Sequence, residues 1–113
     1  FLDETIIDEY TKYQFDPKQN RRGLGWDKKH PTDTSKGIGS KSSSDLAFGH
    51  GGYTGTMVWC DPQYEFVYVF NSNRVCPSAE NWKIIKLNIR TDIEEAFYQS
   101  FISFDKKKKS KKI

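Results

Sequence analysis

Two stretches of helical spacing bracket a series of short, strand-like segments. Ile6, Ile7, Tyr10 and Tyr13 recur at helix-like intervals behind the acidic residues Asp3 and Glu4, which predicts a short amphipathic helix over residues 3–14. Pro17 and the polar stretch Lys18–Arg22 end it, and Gly23-Leu24-Gly25-Trp26 reads as a short strand entered through glycine. Residues 27–45 form a loop, because Pro31, Gly37, Gly39 and five serines interrupt any period. Leu46–Gly49 then leads as a strand into a glycine-rich stretch, and Thr54–Cys60 alternates with β-branched and aromatic residues. Asp61-Pro62-Gln63-Tyr64 is a turn, with proline fixing φ at its second position. Phe66 to Phe70 is a nearly continuous apolar run of high β propensity, expected to be covered on both faces. Ile89, Ile93, Ala96, Phe97 and Phe101 make one apolar stripe on a final helix, extended by an earlier turn through Trp82 and Ile85. Thr91 and Glu94 have the spacing of a capping box. The order helix, strand, loop, antiparallel hairpin, helix is that of an α+β fold.

Charge changes this picture at one end only. The net charge of +3 is set by the tail, where residues 106–109, 111 and 112 are all lysine. Without them 12 basic side chains face 15 acidic ones, so the body is mildly acidic. Residues 105–113 are expected to be a disordered, solvated lysine-rich tail. The 8 Phe, 6 Tyr and 3 Trp supply enough apolar volume for a packed core. No apolar run reaches the ~18 residues of a membrane span. The chain opens at Phe1 and its only methionine is Met57, so it reads as a processed product, an excised domain or a proteolytic remnant. Cys60 and Cys76 are too few and too far apart for a zinc motif and are read as two free, buried thiols. A disulfide would require neighbouring strands to bring them together.

The densest concentration of unusual residues is Phe48-Gly49-His50-Gly51-Gly52-Tyr53-Thr54-Gly55-Thr56. Four glycines within seven positions cost backbone entropy, which implies close backbone approach or positive φ. Backbone N–H groups freed of side chains can bind an oxyanion or a carboxylate, and His50 stands among them. A tight bend at a sheet corner with an incidental histidine explains the same composition. The glycine spacing fits neither a dinucleotide-binding loop nor a phosphate-binding loop ending in lysine. His30 reads as a solvated loop residue, and Glu94 and Glu95 as a solvated helix face. With two histidines and no clustered carboxylates, no metal site or other cofactor is expected. Nothing in the chain supplies a nucleophile, a base and an orienting group together.

The run His50-Gly51-Gly52-Tyr53-Thr54-Gly55-Thr56, with Asp61-Pro62 and Asn73-Arg74-Val75-x-Pro77 after it, resembles the C-terminal third of class C β-lactamase-like serine hydrolases. Arg22-Gly23-Leu24-Gly25-Trp26 and Ile89-Arg90 fit the same pattern, so the resemblance runs from about residue 3 to residue 103. It is similar in flavour to a module that follows a family 3 glycoside hydrolase domain in Bacteroidetes-type bacteria. The resemblance implies that residues 1–104 are a fragment of the β-lactamase/transpeptidase-like fold, strands of an antiparallel sheet with a C-terminal helix packed on it. It places His50-Gly51-Gly52 where the family has K-T-G or H-T-G. His50 would then face the substrate, the Tyr53 backbone N–H would form half of an oxyanion hole, and Gly51, Gly52 and Thr54 would line the substrate. Gly51 removes a hydroxyl that commonly helps hold a substrate carboxylate, which favours an ester or peptide over a β-lactam.

The family's other two motifs are missing. The only S-x-x-K match, Ser103-Phe104-Asp105-Lys106, lies beyond the helix and on the wrong side of His50, and no Y-x-N or S-D-N occurs. The expectation is a serine hydrolase segment that is silent alone, completed by the upstream half of its own domain, acting on a small-molecule or peptide (cell-wall) substrate. Secretion or a periplasmic location is implied by resemblance, and no nucleic-acid partner is expected. One rival is a non-catalytic binding or regulatory module of the same fold. A second rival, a basic protein binding DNA or anionic lipid through its tail, sits poorly with the acidic body.

Overall fold

The computed structural model describes residues 2–33 and 37–110, the last six as backbone alone. It is a small α+β arrangement: helix α1 (Glu4–Thr11), strands β1 (Phe48–Gly51), β2 (Met57–Asp61) and β3 (Phe66–Phe70), a short helix α2 (Lys83–Lys86) and helix α3 (Ile89–Ser110). The strands form one antiparallel sheet in the order β1-β2-β3.

Local chemistry sets most of the boundaries. Asp3 caps α1 by accepting the Thr5 N–H at 2.9 Å. The helix stops at Thr11 rather than residue 14, because the Gln14 N–H turns away to Arg22 O. Residues 23–26 are a tight turn instead of the expected strand. The Gly23 N–H bonds Trp26 O, and Gly25 takes a φ of 75°. Pairing falls one residue later, where Asp27 and Gly49 exchange both backbone bonds as an isolated bridge. Between β2 and β3, Asp61 Oδ1 accepts the Gln63 N–H and Pro62 opens a 3-10 turn, as the dipeptide predicts.

The sheet has one covered face. Gly49 pairs with Trp59 and Trp59 with Tyr68, and this face also carries Met57, Asp61, Phe66 and Phe70. Ile38, Ala47, Met57, Trp59 and Tyr68 form the buried core, with Phe66 and Phe70 packed against it. A Cβ on Gly49 would drive into Val58 O and the Trp59 ring, so glycine here lets Trp59 lie flat against β1. The opposite face carries Phe48, His50, Val58, Cys60, Val67 and Val69. Val67 is 64% exposed and Val69 59%, so the apolar run of β3 is covered on one side, not two. Its sequence is continuous because both faces are apolar, while only the inner one meets α3.

α3 packs differently from its apolar stripe. The fully or nearly buried positions are Arg90, Glu94 and Tyr98, spaced four apart, while Ile89, Ile93, Phe97 and Phe101 are more than a third exposed. Phe97 and Phe101 still reach Phe66, at ring separations of 6.4 and 5.0 Å. The helix is thus turned so that a polar line faces the sheet and the stripe straddles its edge. Thr91 lies inside the helix, and no capping box forms with Glu94, whose carboxylate points inward to Ser40 N. α2 is separated from α3 by Leu87 and Asn88, and Asn88 takes a φ of 52°. The backbone of α3 continues to Ser110, so part of the tail expected to be disordered is helical. Residues 111–113 and the tail side chains lie outside the described residues. Both cysteines are free, but Cys76 is exposed and Cys60 only half-buried, contrary to the expectation of two buried thiols.

Candidate functional site

β1 delivers the glycine-rich segment to the edge of the sheet. Gly49 uses its outward N–H and C=O on Asp27, so Gly51, two residues on, is the next to point its backbone out of the sheet. His50 lies between them on the uncovered face and is exposed. Its Nδ1 is 2.9 Å from Gly51 O. A carbonyl can only accept, so Nδ1 is the donor in this contact.

Residues 52–56 form a turn between β1 and β2, so β2 begins at Met57 rather than at the Thr54 suggested by the alternation. The turn is fixed from three directions. Gly52 N–H bonds Thr56 O at 2.7 Å and Gly55 N–H bonds Gly52 O at 3.0 Å. Thr54 O accepts from Arg74 N–H at 2.9 Å and from the Ser72 hydroxyl at 3.1 Å. From α3, Arg90 Nη1 donates to Gly55 O and Thr56 O, both at 3.2 Å. Neither backbone bond that closes the turn uses the Tyr53 amide. The Tyr53 ring is 70% exposed and sits 4.8 Å from the Arg74 guanidinium carbon. Gly55 needs its glycine, with φ at 91°. Gly51 does not, since a Cβ there would meet Arg90 Nη1 at an ordinary 3.4 Å. The structure therefore brings His50, Gly51, Gly52 and Tyr53 to one sheet edge, and uses the Thr54 carbonyl as an anchor of the turn.

Sequence reading missed a buried polar seam between α3, β2 and the serine loop. Asp61 is 1% exposed and accepts from Ser44 N–H (2.8 Å), the Ser44 hydroxyl (2.6 Å) and the Tyr98 hydroxyl (2.7 Å). Glu94 is wholly buried, accepts the Ser40 N–H at 3.1 Å, and leaves Oε2 without a partner. Glu95, half-buried, accepts the Ser42 hydroxyl at 2.6 Å. Contrary to the expectation of a solvated helix face, both acids are seated by loop N–H and O–H donors. Desolvation pushes the Glu94 carboxyl up to about 7, against the pull of its Ser40 bond. Burial and the bond to Asp61 drive the Tyr98 phenol well above its ordinary value. Lys28, also buried, is lowered to about 8 by desolvation, with Asp45 and Asp61 opposing. Its ammonium stands 4.9 Å over the Tyr13 ring. The signal for this seam was the clustering of serines 40–44 in a loop otherwise read as solvated.

The seam clamps the fold, and its Ser44 hydroxyl is buried and committed to the Asp61 carboxylate. His30 Nδ1 accepts the Thr32 and Asp33 N–H groups, so it shapes its own loop. On the far side of Phe48 an open apolar cavity of about 400 Å³ lies between Ile6, Ile7 and Tyr10 of α1 and Trp26. Among the described residues no group of three His, Cys, Asp or Glu side chains could hold a metal, and no helix is long and apolar enough to cross a membrane. Comparison of the chain with protein-family models, with curated proteins and with solved structures finds no match.

Proposed function

We propose that this chain is the C-terminal sheet-and-helix part of a serine hydrolase of the β-lactamase-like type, in which β1 forms the substrate-side edge. The observation that carries the reading is the placement of His50-Gly51-Gly52: an outward backbone at Gly51, an exposed imidazole beside it, and a turn pinned by Arg74, Ser72 and Arg90. A carbonyl lying along this edge would meet the Tyr53 N–H as one oxyanion donor, the second coming from the nucleophile's own amide upstream. His50 Nε2 would accept or return a proton at the leaving group. The upstream half would cover the uncovered sheet face that holds His50, Val67 and Val69. The chemistry is acyl transfer through a serine ester, with an ester or amide substrate favoured because Gly51 offers no hydroxyl to a substrate carboxylate. A secreted or periplasmic bacterial setting goes with this reading.

Labelling with a fluorophosphonate probe tests it. The 113-residue chain is expected to stay unlabelled. The protein extended upstream is expected to label at a serine outside these residues and to lose most activity on His50→Ala. Failure of the extended protein to label would remove the acyl-serine mechanism and favour a binding module of the same fold.

A further inference from the structure

Arg74 is the most poorly satisfied charge among the described residues. It is 5% exposed, and only Nη1 is occupied, by Ala79 O at 2.8 Å and Asn81 O at 3.4 Å. Nε and Nη2 are buried with no hydrogen-bond partner, and Arg74 has no ion pair among the described residues. The two free nitrogens are the pair whose N–H bonds point the same way along one edge of the guanidinium plane. That edge matches the two oxygens of a carboxylate. Aromatic rings flank the group, Trp82 at 3.7 Å and Tyr53 at 4.8 Å from the guanidinium carbon. Ring contacts offset part of the desolvation of a cation, but they do not satisfy N–H donors. A buried guanidinium with its fork empty is costly, and the cost is relieved by an anion that fills it.

We propose that Arg74 is the recognition group of a carboxylate-binding site at the rim of the 52–56 turn. The carboxylate is held by Nε and Nη2 and is admitted when the largely exposed Tyr53 ring swings aside. The site rests on Arg74 and its surroundings, and it stands whether or not the turn belongs to a hydrolase. The fork takes two oxygens of either kind of anion, and the flanking rings favour a planar carboxylate over a tetrahedral oxyanion, whose remaining oxygens would press on them.

The test is a titration of the ¹⁵N-labelled 113-residue chain with acetate, chloride and phosphate at matched ionic strength, following the arginine Nε–Hε resonances. There are only four arginines, Arg21, Arg22, Arg74 and Arg90, and Arg74→Lys identifies the relevant signal by its loss. Acetate is expected to shift the Arg74 signal saturably, with chloride inert and phosphate weaker. Arg74→Lys should weaken acetate binding about tenfold or more, because lysine cannot offer the fork. Tyr53→Ala should tighten binding several-fold by removing the ring that must move. A non-saturating acetate response, or one matched by chloride or exceeded by phosphate, overturns the proposal. Should Arg74→Lys fail to fold, sequential side-chain assignment of the four Nε–Hε resonances identifies the Arg74 signal, and the comparison of anions on the unaltered chain decides it.

Discussion

Replacing Glu94 by glutamine should stabilise the protein at neutral and alkaline pH and flatten the pH dependence of its stability. Glu94 is wholly buried and faces Ser40 N–H from the loop, Asp61 from β2, Tyr68 from β3, and Glu95 and Tyr98 on its own helix. Arg90 is turned toward the Gly55 and Thr56 carbonyls, and among the described residues no cation pairs with the carboxylate. Its pKa rises from 4.5 to about 7, so between those values the folded state holds a proton that the unfolded chain has released. Stability therefore falls as pH climbs through this window and levels off above the upper value. The full fall is about 3 kcal/mol, because each tenfold change in proton affinity between the two states is worth ~1.4 kcal/mol. Glutamine keeps the oxygen that accepts from Ser40 and carries no charge to desolvate. Glu94→Gln should match the native protein near pH 4.5 and exceed it by up to about 3 kcal/mol at pH 8. In a domain of this size that is a rise in Tm of roughly 12 °C. Urea and thermal denaturation of both proteins across this range would measure it. Stability that is flat or rising between pH 5 and 7.5, with no gain from the amide at pH 8, would show that Glu94 is ionised at little cost, and the buried-seam account would be wrong.

Other consequences follow from the same contacts. Tyr98→Phe removes the hydroxyl that donates to Asp61 Oδ2 and should cost about 1.5–3 kcal/mol in urea denaturation. Gly49→Ala forces a methyl into Val58 O and the Trp59 ring and should destabilise by about 1–3 kcal/mol or more. Gly51→Ala, two residues along the same strand, should change stability by less than about 1 kcal/mol, since its Cβ finds ordinary space. A result with these two glycines reversed would contradict the assigned register. Lys28→Met should stabilise at pH 7, because the native lysine has its pKa lowered to about 8 and must be buried charged below that value. The native protein should correspondingly gain stability as pH rises from about 8 towards the unfolded lysine value, and a lack of gain in alkaline urea titrations would refute this.

The sheet was legible because hairpins are written locally. Asp61-Pro62 carries its own turn, and that tight turn sets the register of β2 against β3. α1 was legible from its period, and its N-terminus lies at Asp3, where a side-chain oxygen can cap. The strand expected at residues 23–26 failed because glycine and an aromatic residue serve a turn as well as a strand, and Gly25 took positive φ. The face of α3 was misjudged for a subtler reason. Its apolar stripe is real, but hydrophobic periodicity weighs residues without regard to the partner they meet. Here the partner surface contains Asp61 and the N–H groups of Ser40 and Ser42, which draw Glu94, Glu95 and Tyr98 inward. Of the candidate site, the residues were legible as a composition, while the bonds that shape it come from Arg74 and Arg90, 19 and 35 positions beyond Gly55.

That long-range dependence joins the seam to the site. Arg90 and Glu94 lie one helical turn apart on the same buried line of α3. Glu94 seats the helix on the serine loop, and Arg90 carries the helix position to the Gly55 and Thr56 carbonyls. Tyr68, from the central face of β3, fixes the same point by donating its hydroxyl to Arg90 O at 3.1 Å. A displacement of α3 along the sheet would thus be felt first as loosened bonds to the turn, before the aromatic contacts of Phe97 and Phe101 with Phe66 are lost. Aromatic packing tolerates sliding, because its energy is spread over many weak contacts, whereas two guanidinium bonds to adjacent carbonyls do not. The polar line on α3 is therefore more than a way to bury charged residues. It converts a helix that could rest on the sheet in several positions into one held at a single position, and that position defines the geometry of the turn beyond His50.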